Sequence, residues 1–138
     1  MRSTLVDTGP LVALCDERDE LHRRAVVELD RVTGPLWVCL PVLTEAFFLL
    51  SVGHLRRRAV AMFERQVFQL AAPKNSELVM RSAFKWLERY EEHSPDFADA
   101  FLVTWAESDP AVRVWTFDSE FSTVWRTLRG KKVRLVGG

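Results

Sequence analysis

The chain has 138 residues, 48% hydrophobic and 28% charged. That is the makeup of one globular domain spanning 1–138, too short for two ordinary cores and too apolar for a disordered tract. Nineteen basic and nineteen acidic side chains cancel, which excludes a uniformly cationic nucleic-acid coat while leaving local basic patches open. Cys15 and Cys39 lie in apolar surroundings without disulfide or metal spacing, no apolar run reaches the span of a membrane helix, and Arg2 is followed by no secretory core; the expectation is a cytoplasmic protein with no membrane role.

The chain opens on Ser3–Val6, a short strand of buried type, and turns at Asp7-Thr8-Gly9-Pro10, where Pro suits the first turn of a helix running to about Cys15. Glu20–Val32 carries Leu21, Ala25, Leu29 and Val32 at helical spacing. Leu36–Cys39 reads as a second strand and Pro41–Val52 as a nearly all-apolar helix, with Gly53 as its expected end and Arg56–Gln66 as the next helix. Val67–Ala71 is a third strand, Ser76–Glu91 a long amphipathic helix, and Ser94-Pro95 announces a helix over Phe97–Glu107. Val112–Phe117 is a fourth strand, Ser119–Leu128 a short helix and Val133–Val136 a last strand. Alternating strands and helices predict an α/β fold, a parallel sheet between helical layers with right-handed crossovers.

Four acids stand out, each the one ionisable residue of an apolar stretch: Asp7 between Thr4 and Cys15, Glu45 between Pro41 and Gly53, Asp99 between Phe97 and Ala106, and Asp118 between Val114 and Ser119. An isolated carboxylate in a core is costly unless protonated, paired or metal-bound. The topology gives them a common place. Asp7 and Asp118 sit where parallel strands end, the edge at which open α/β sheets bind ligands. Asp96, three residues before Asp99, shares its helix face, and Glu45 occupies the first turns of its own helix. Two unit charges ~4 Å apart repel by about 4 kcal/mol at an effective dielectric near 20, and a divalent cation turns that repulsion into coordination. An all-oxygen set favours Mg²⁺, with Mn²⁺ as a substitute, because His22, His54 and His93 do not fall in zinc spacing. Such an ion polarises a phosphate oxygen and activates water, so the residues by themselves point to a metal-dependent phosphodiester or phosphomonoester hydrolase.

Each acid also has a plainer role. Asp7 suits a helix cap, Asp118 a cap for the helix at Ser119 with Glu120 reaching back, and Asp96 a first-turn acid at the favourable end of a helix dipole. Glu45 and Asp99 lie inside apolar helices, where a cap has no use.

The motifs Val6-Asp7-Thr8-Gly9-Pro10-Leu11, Leu43-Thr44-Glu45, Asp96-Phe97-Ala98-Asp99-Ala100 and Thr116-Phe117-Asp118-Ser119-Glu120-Phe121 resemble, in order and spacing, those of PIN-domain ribonucleases, especially the VapC-like toxins of toxin–antitoxin pairs. The resemblance spans about Thr4 to Val136. It implies a PIN-like sheet of strand order 3-2-1-4-5 and a Mg²⁺- or Mn²⁺-dependent endoribonuclease. Carried over, Asp7, Glu45, Asp99 and Asp118 match the catalytic, metal-holding acids and Asp96 a less constant accessory ligand. Thr8 and Thr116 match hydroxyls that orient ligands or water beside the metal. It further implies a homodimer and a small antitoxin whose tail enters the acidic groove.

An acidic site on a neutral protein needs nearby positive charge to hold RNA. Arg56, Arg57 and Arg58 form one candidate cluster, and Arg126, Arg129, Lys131, Lys132 and Arg134 another; both equally suit solvated faces. Trp37, Trp86, Trp105, Trp115 and Trp125 sit at core-facing spacing and are expected to pack rather than stack on bases. The rival readings are a PIN nuclease of RNA processing, a phosphatase acting on small phosphates, and a non-catalytic RNA- or protein-binding module. A response-regulator receiver domain would need paired acids after the first strand and a late lysine, and here Asp7 stands alone and Lys131 is poorly placed.

Overall fold

A computed structural model describes residues 2–137. The strands are β1 (Ser3–Val6), β2 (Leu36–Val38), β3 (Gln69–Leu70) and β4 (Val112–Trp115). The helices are α1 (Thr8–Cys15), α2 (His22–Leu29), α3 (Leu40–Leu49), α4 (Gly53–Glu64), α5 (Ser76–Arg89), α6 (Phe97–Ser108) and α7 (Glu120–Thr123). All pairings are parallel, in the order β3-β2-β1-β4, with Val6 level with Trp115 and Leu5 with Val114. Helices flank this sheet, as the α/β pattern predicts. β1 is buried along its whole length, which is why it reads as a short continuous run of Ser, Thr, Leu and Val rather than as an alternating strand.

The predicted fifth strand survives as a single parallel bridge between Leu135 and Val114, held by Val114 N–H to Arg134 O (2.9 Å) and Val136 N–H to Val114 O (3.0 Å). It lies beside β4, where the order 3-2-1-4-5 puts it. The ladder stops there because the carbonyl of Val112, the acceptor it would next offer to the Arg134 amide, instead takes Arg134 Nε at 3.4 Å. The same guanidinium reaches the carbonyls of Ala106 and Asp109.

β3 is shorter than Val67–Ala71 and α2 shorter than Glu20–Val32, and the end of α3 and the length of α7 also differ from expectation. Gly53 does not end α3 but begins α4. The final carbonyls of α3 are satisfied by a side chain: Arg56 donates to Leu50 O (2.7 Å) and to Phe47 O (3.0 Å), which removes the need for a glycine cap. The helix expected over Ser119–Leu128 shrinks to Glu120–Thr123 because the chain then enters a tight hairpin. Thr127 N–H bonds Lys131 O (2.8 Å), and Gly130 takes φ +83°, a conformation that glycine adopts without penalty.

The tryptophans pack. Trp86, Trp105, Trp115 and Trp125 are fully buried, and Trp37 stacks on Trp105 at 5.9 Å. Trp86, Tyr90 and Trp125 form a mutually perpendicular or tilted cluster with centroids 4.6–5.3 Å apart, spacing favoured by the ring quadrupoles. Trp86 also donates its indole N–H to Arg126 O (2.7 Å), tying α5 to the C-terminal hairpin. His22 is half-buried rather than exposed, its ring Nδ1 at 2.6 Å from Ala13 O, where it joins the start of α2 to α1.

Candidate metal and nucleic-acid site

Because β1 and β4 are neighbours in register, the residues that follow them emerge side by side at the carboxyl edge of the sheet. Asp7 is the first residue past β1 and Thr116 the first past β4. The Thr116 hydroxyl donates to Asp7 Oδ2 (2.7 Å) and accepts from Asp118 N–H (3.0 Å). One threonine thereby fixes the two strand-end acids to each other. Asp7 Oδ1 accepts the Thr8 amide (2.8 Å) at the start of α1, so the capping role and the site role coexist in one carboxylate.

Asp7, Glu45, Asp96, Asp99 and Asp118 line a single cavity of about 320 Å³, together with Thr8. Glu45 comes from α3, which packs on α1; Asp96 and Asp99 come from the first turn of α6, which packs on α3. Asp99 differs from expectation in one respect: it does serve as a cap, its Oδ2 accepting Asp96 N–H at 3.0 Å. Asp118 Oδ1 accepts Glu120 N–H (2.9 Å). Glu45 makes no hydrogen bond or ion pair among the described residues.

The acids sense one another. Burial pushes Asp7 from 3.8 up to about 6; the bonds from Thr116 and Thr8 oppose this, and the charges of Glu45 and Asp118 reinforce it. Burial pushes Asp99 up to about 7, opposed by the Asp96 amide and reinforced by Asp7, Asp96 and Asp118. Perturbation of this kind marks carboxylates gathered in one desolvated place. The same burial raises the Cys15 and Cys39 thiols to about 11, and both stay free.

A hard divalent cation suits this set. Every donor is oxygen, and a carboxylate has about four lone-pair directions, so oxygens already bonded to amides keep capacity for a metal. The Thr8 hydroxyl is buried on the cavity wall with no partner, a group left for something the cavity would hold. Among the described residues no three acids or histidines stand in ready-made ligand geometry. Asp7, Asp99 and Asp118 each spend carboxylate oxygens on backbone amides or on Thr116.

Sequence reasoning missed Asp19, which lines the cavity and whose Oδ1 accepts Leu21 N–H (2.9 Å); the acid-rich run Asp16–Glu20 hides it. It also missed Phe117, a wall of the same cavity. The candidate RNA contacts lie elsewhere. Arg56 ties off α3 as described, Arg58 donates to Cys15 O (3.1 Å) and pairs with Glu17 (3.5 Å), and Arg57, Arg129, Lys131 and Lys132 are exposed.

The PIN domain family model matches residues 4–125. Among solved structures, VapC20 of Mycobacterium tuberculosis, described as a Sarcin-Ricin loop cleaving toxin, superposes with a TM-score of 0.72 at 24% identity, covering 87% of this chain and 93% of its own. VapBC2 of Rickettsia felis, solved bound to a DNA fragment from its promoter, gives 0.64 at 13% identity over 96% of each chain. At these identities the likeness establishes the fold. No curated protein sequence matches significantly.

Proposed function

The chain belongs to the PIN domain family, and from that premise we propose that it is a metal-dependent endoribonuclease, one domain over its whole length, acting as the toxin of a toxin–antitoxin pair. The observation that carries this reading is the convergence of Asp7, Glu45, Asp96, Asp99 and Asp118 on one cavity beside a buried, unpartnered Thr8 hydroxyl. Asp7, Glu45, Asp99 and Asp118 would hold Mg²⁺ or Mn²⁺, with Asp96 as accessory. Bound there, the ion supplies charge neutralisation and Lewis-acid polarisation of a phosphate oxygen. The chain's own contribution is positional. Thr116 fixes Asp7 against Asp118, the α1 amide orients Asp7, and the α6 first turn presents Asp96 and Asp99 from the opposite wall. An ionised carboxylate among these acids would serve as the proton acceptor for a water attacking phosphorus.

An apolar cavity of about 800 Å³, lined by Leu40, Phe48, Met80, Phe97 and Phe101, shares Glu45 and Asp96 with the acid cavity. Phe48 is 81% exposed there, and a patch of this kind marks an interaction surface. It suits an antitoxin segment that places apolar side chains here and a basic group among the acids. Two copies of the chain associate in the same proposal. Among the described residues no helix is long and apolar enough to cross a membrane, and the proposed place of action is the cytoplasm.

Purified protein should cut RNA with Mg²⁺ or Mn²⁺ and stop with EDTA, and Asp7→Asn and Glu45→Gln should each abolish cutting. Cleavage that survives EDTA and both substitutions would overturn the reading. Growth arrest on expression, relieved by a small protein encoded beside it, separates a toxin from a PIN nuclease of RNA processing.

A further inference from the structure

A third cavity, of about 450 Å³, lies between α2 and the sheet, on the other side of Thr116 from the acids. Four guanidinium side chains line it: Arg2 before β1, Arg24 on α2, Arg31 after α2, and Arg113 on β4. Glu28 is the one carboxylate among its lining residues. Both Glu28 oxygens are committed, Oε2 to Arg24 Nε (2.6 Å) and Oε1 to the Trp115 indole N–H (2.9 Å). Arg2, Arg31 and Arg113 make no ion pair or side-chain hydrogen bond among the described residues. Among the described lining residues, arginines outnumber carboxylates four to one.

Arg113 is the informative member. It stands on a parallel strand whose other residues, Val112, Val114 and Trp115, are buried, and it lies level with the buried Thr4 of β1. Strands in such a position are normally continuous apolar runs. A half-buried arginine there loses hydration and pairs with no carboxylate among the described residues, a cost that an anion would offset. The cavity also adjoins the acid site directly. Thr116 lines it while its hydroxyl bonds Asp7, and the Arg24 guanidinium lies 4.5 Å from the centre of the Phe117 ring, which walls the acid cavity.

We propose that the cavity formed by Arg2, Arg31 and Arg113, with Arg24 at its edge, binds a backbone phosphate of the same RNA strand whose scissile phosphate is presented to the acids. This deepens the ribonuclease reading and rests on it. Planar guanidinium forks match phosphate oxygens in pairs, and contacts to the backbone set the strand's register without reading its sequence. The strand would cross Thr116 and Phe117, passing from a positive pocket into a negative one. A phosphate held by arginines on one side thus tethers the strand whose scissile phosphate enters a cleft that would otherwise repel it.

The test is binding of a short labelled single-stranded RNA by fluorescence anisotropy across a salt series, in EDTA so that no cleavage intrudes. Full-length wild type is compared with Arg31→Ala, with Arg113→Met, which keeps the apolar stem, and with Arg81→Ala on the exposed face of α5 as control. The expected result is about tenfold weaker binding for each cavity variant, from loss of a charged hydrogen bond. The slope of log affinity against log salt should fall by about 0.7 for each lost contact, and Arg81→Ala should bind as wild type. Unchanged affinity and slope in both cavity variants would overturn the proposal, as would wild type that binds inorganic pyrophosphate through these arginines but not RNA, or that binds no RNA. Arginine-dependent RNA binding by a protein that never cleaves would sink the nuclease reading and leave the pocket standing; cleavage and binding untouched by the arginine substitutions would do the reverse.

Discussion

Replacing Asp7 with Asn should abolish activity and yet stabilise the metal-free protein. The carboxyl is buried and displaced from 3.8 to about 6. A raised carboxylate pKa means that the folded state prefers the protonated form. Folding therefore carries no penalty from this group below about pH 4, and a penalty that grows as pH rises and levels off above about 6. At about 1.36 kcal/mol per tenfold change in proton affinity, the full penalty near pH 7.5 is about 3 kcal/mol. Asn keeps the shape and its oxygen still accepts the Thr8 amide, but its NH₂ must face the Thr116 hydroxyl, which turns that bond around at a cost of about 1 kcal/mol. The net gain is about 2 kcal/mol, or about 8 °C in Tm for a chain of this size. Asp7 is also one of the charges that raise Asp99, so its removal acts in the same direction there. Urea and thermal unfolding in EDTA, near pH 7.5 and again near pH 4.5, provide the measurement: the advantage of Asp7→Asn should be present at the first and gone at the second. Saturating Mg²⁺ should raise wild type and leave the variant where it was. A variant less stable than wild type near pH 7.5 without metal would show that burial of Asp7 is not costly and that the raised pKa has been misread.

Thr116→Val removes the hydroxyl that joins Asp7 to Asp118; cleavage should fall about 10- to 100-fold, with a melting curve within a few degrees of wild type. Gly34→Ala should destabilise by at least about 2 kcal/mol in urea titration, because Gly34 has φ +83° and an added Cβ would lie 2.0 Å from the Arg2 carbonyl oxygen. Cys15 and Cys39, raised to about 11 by burial, should resist a thiol-specific reagent in the native protein near pH 8 and react at once on denaturation.

The parts of this molecule legible in the sequence are those written in local signals. Ser3–Val6 is bounded by an acid and a Gly-Pro turn, α5 carries a long periodic face, and α6 is an apolar run announced by Ser94-Pro95, so these elements fall where local signals put them. The four lone acids were legible because charge inside an apolar run is conspicuous. What escaped depends on side chains reaching backbone far away in sequence. Arg56 caps α3 and so frees Gly53 to start a helix, and Arg134 takes the Val112 carbonyl and so cuts short the fifth strand. The capping role of Asp99 was hidden by the apolar residues around it: the helix starts at Phe97 as expected, and an acid in its first turn still reaches back to the Asp96 amide. The arginines of the third cavity, spread from position 2 to 113, form no cluster until the sheet assembles them.

The register of β1 on β4 determines the chemistry as much as the acids do. Val6 lies level with Trp115, and therefore Asp7 must meet Thr116. A slip of one residue would turn Leu5 and Val114 to the opposite face of a sheet packed on both, against partners of the wrong shape, and part the two side chains together, so the packing that selects the register also selects the site. That packing must outweigh a cluster of carboxylates whose burial opposes folding. A penalty of about 3 kcal/mol at Asp7 is a large share of the 5–15 kcal/mol by which domains are typically stable. Sequences free of function would lose such an acid quickly, since a neutral residue at position 7 is the more stable choice. Its presence at the strand end, beside an unpartnered Thr8 hydroxyl, is what physical chemistry expects of a residue whose stabilising partner is a ligand and not another part of the fold.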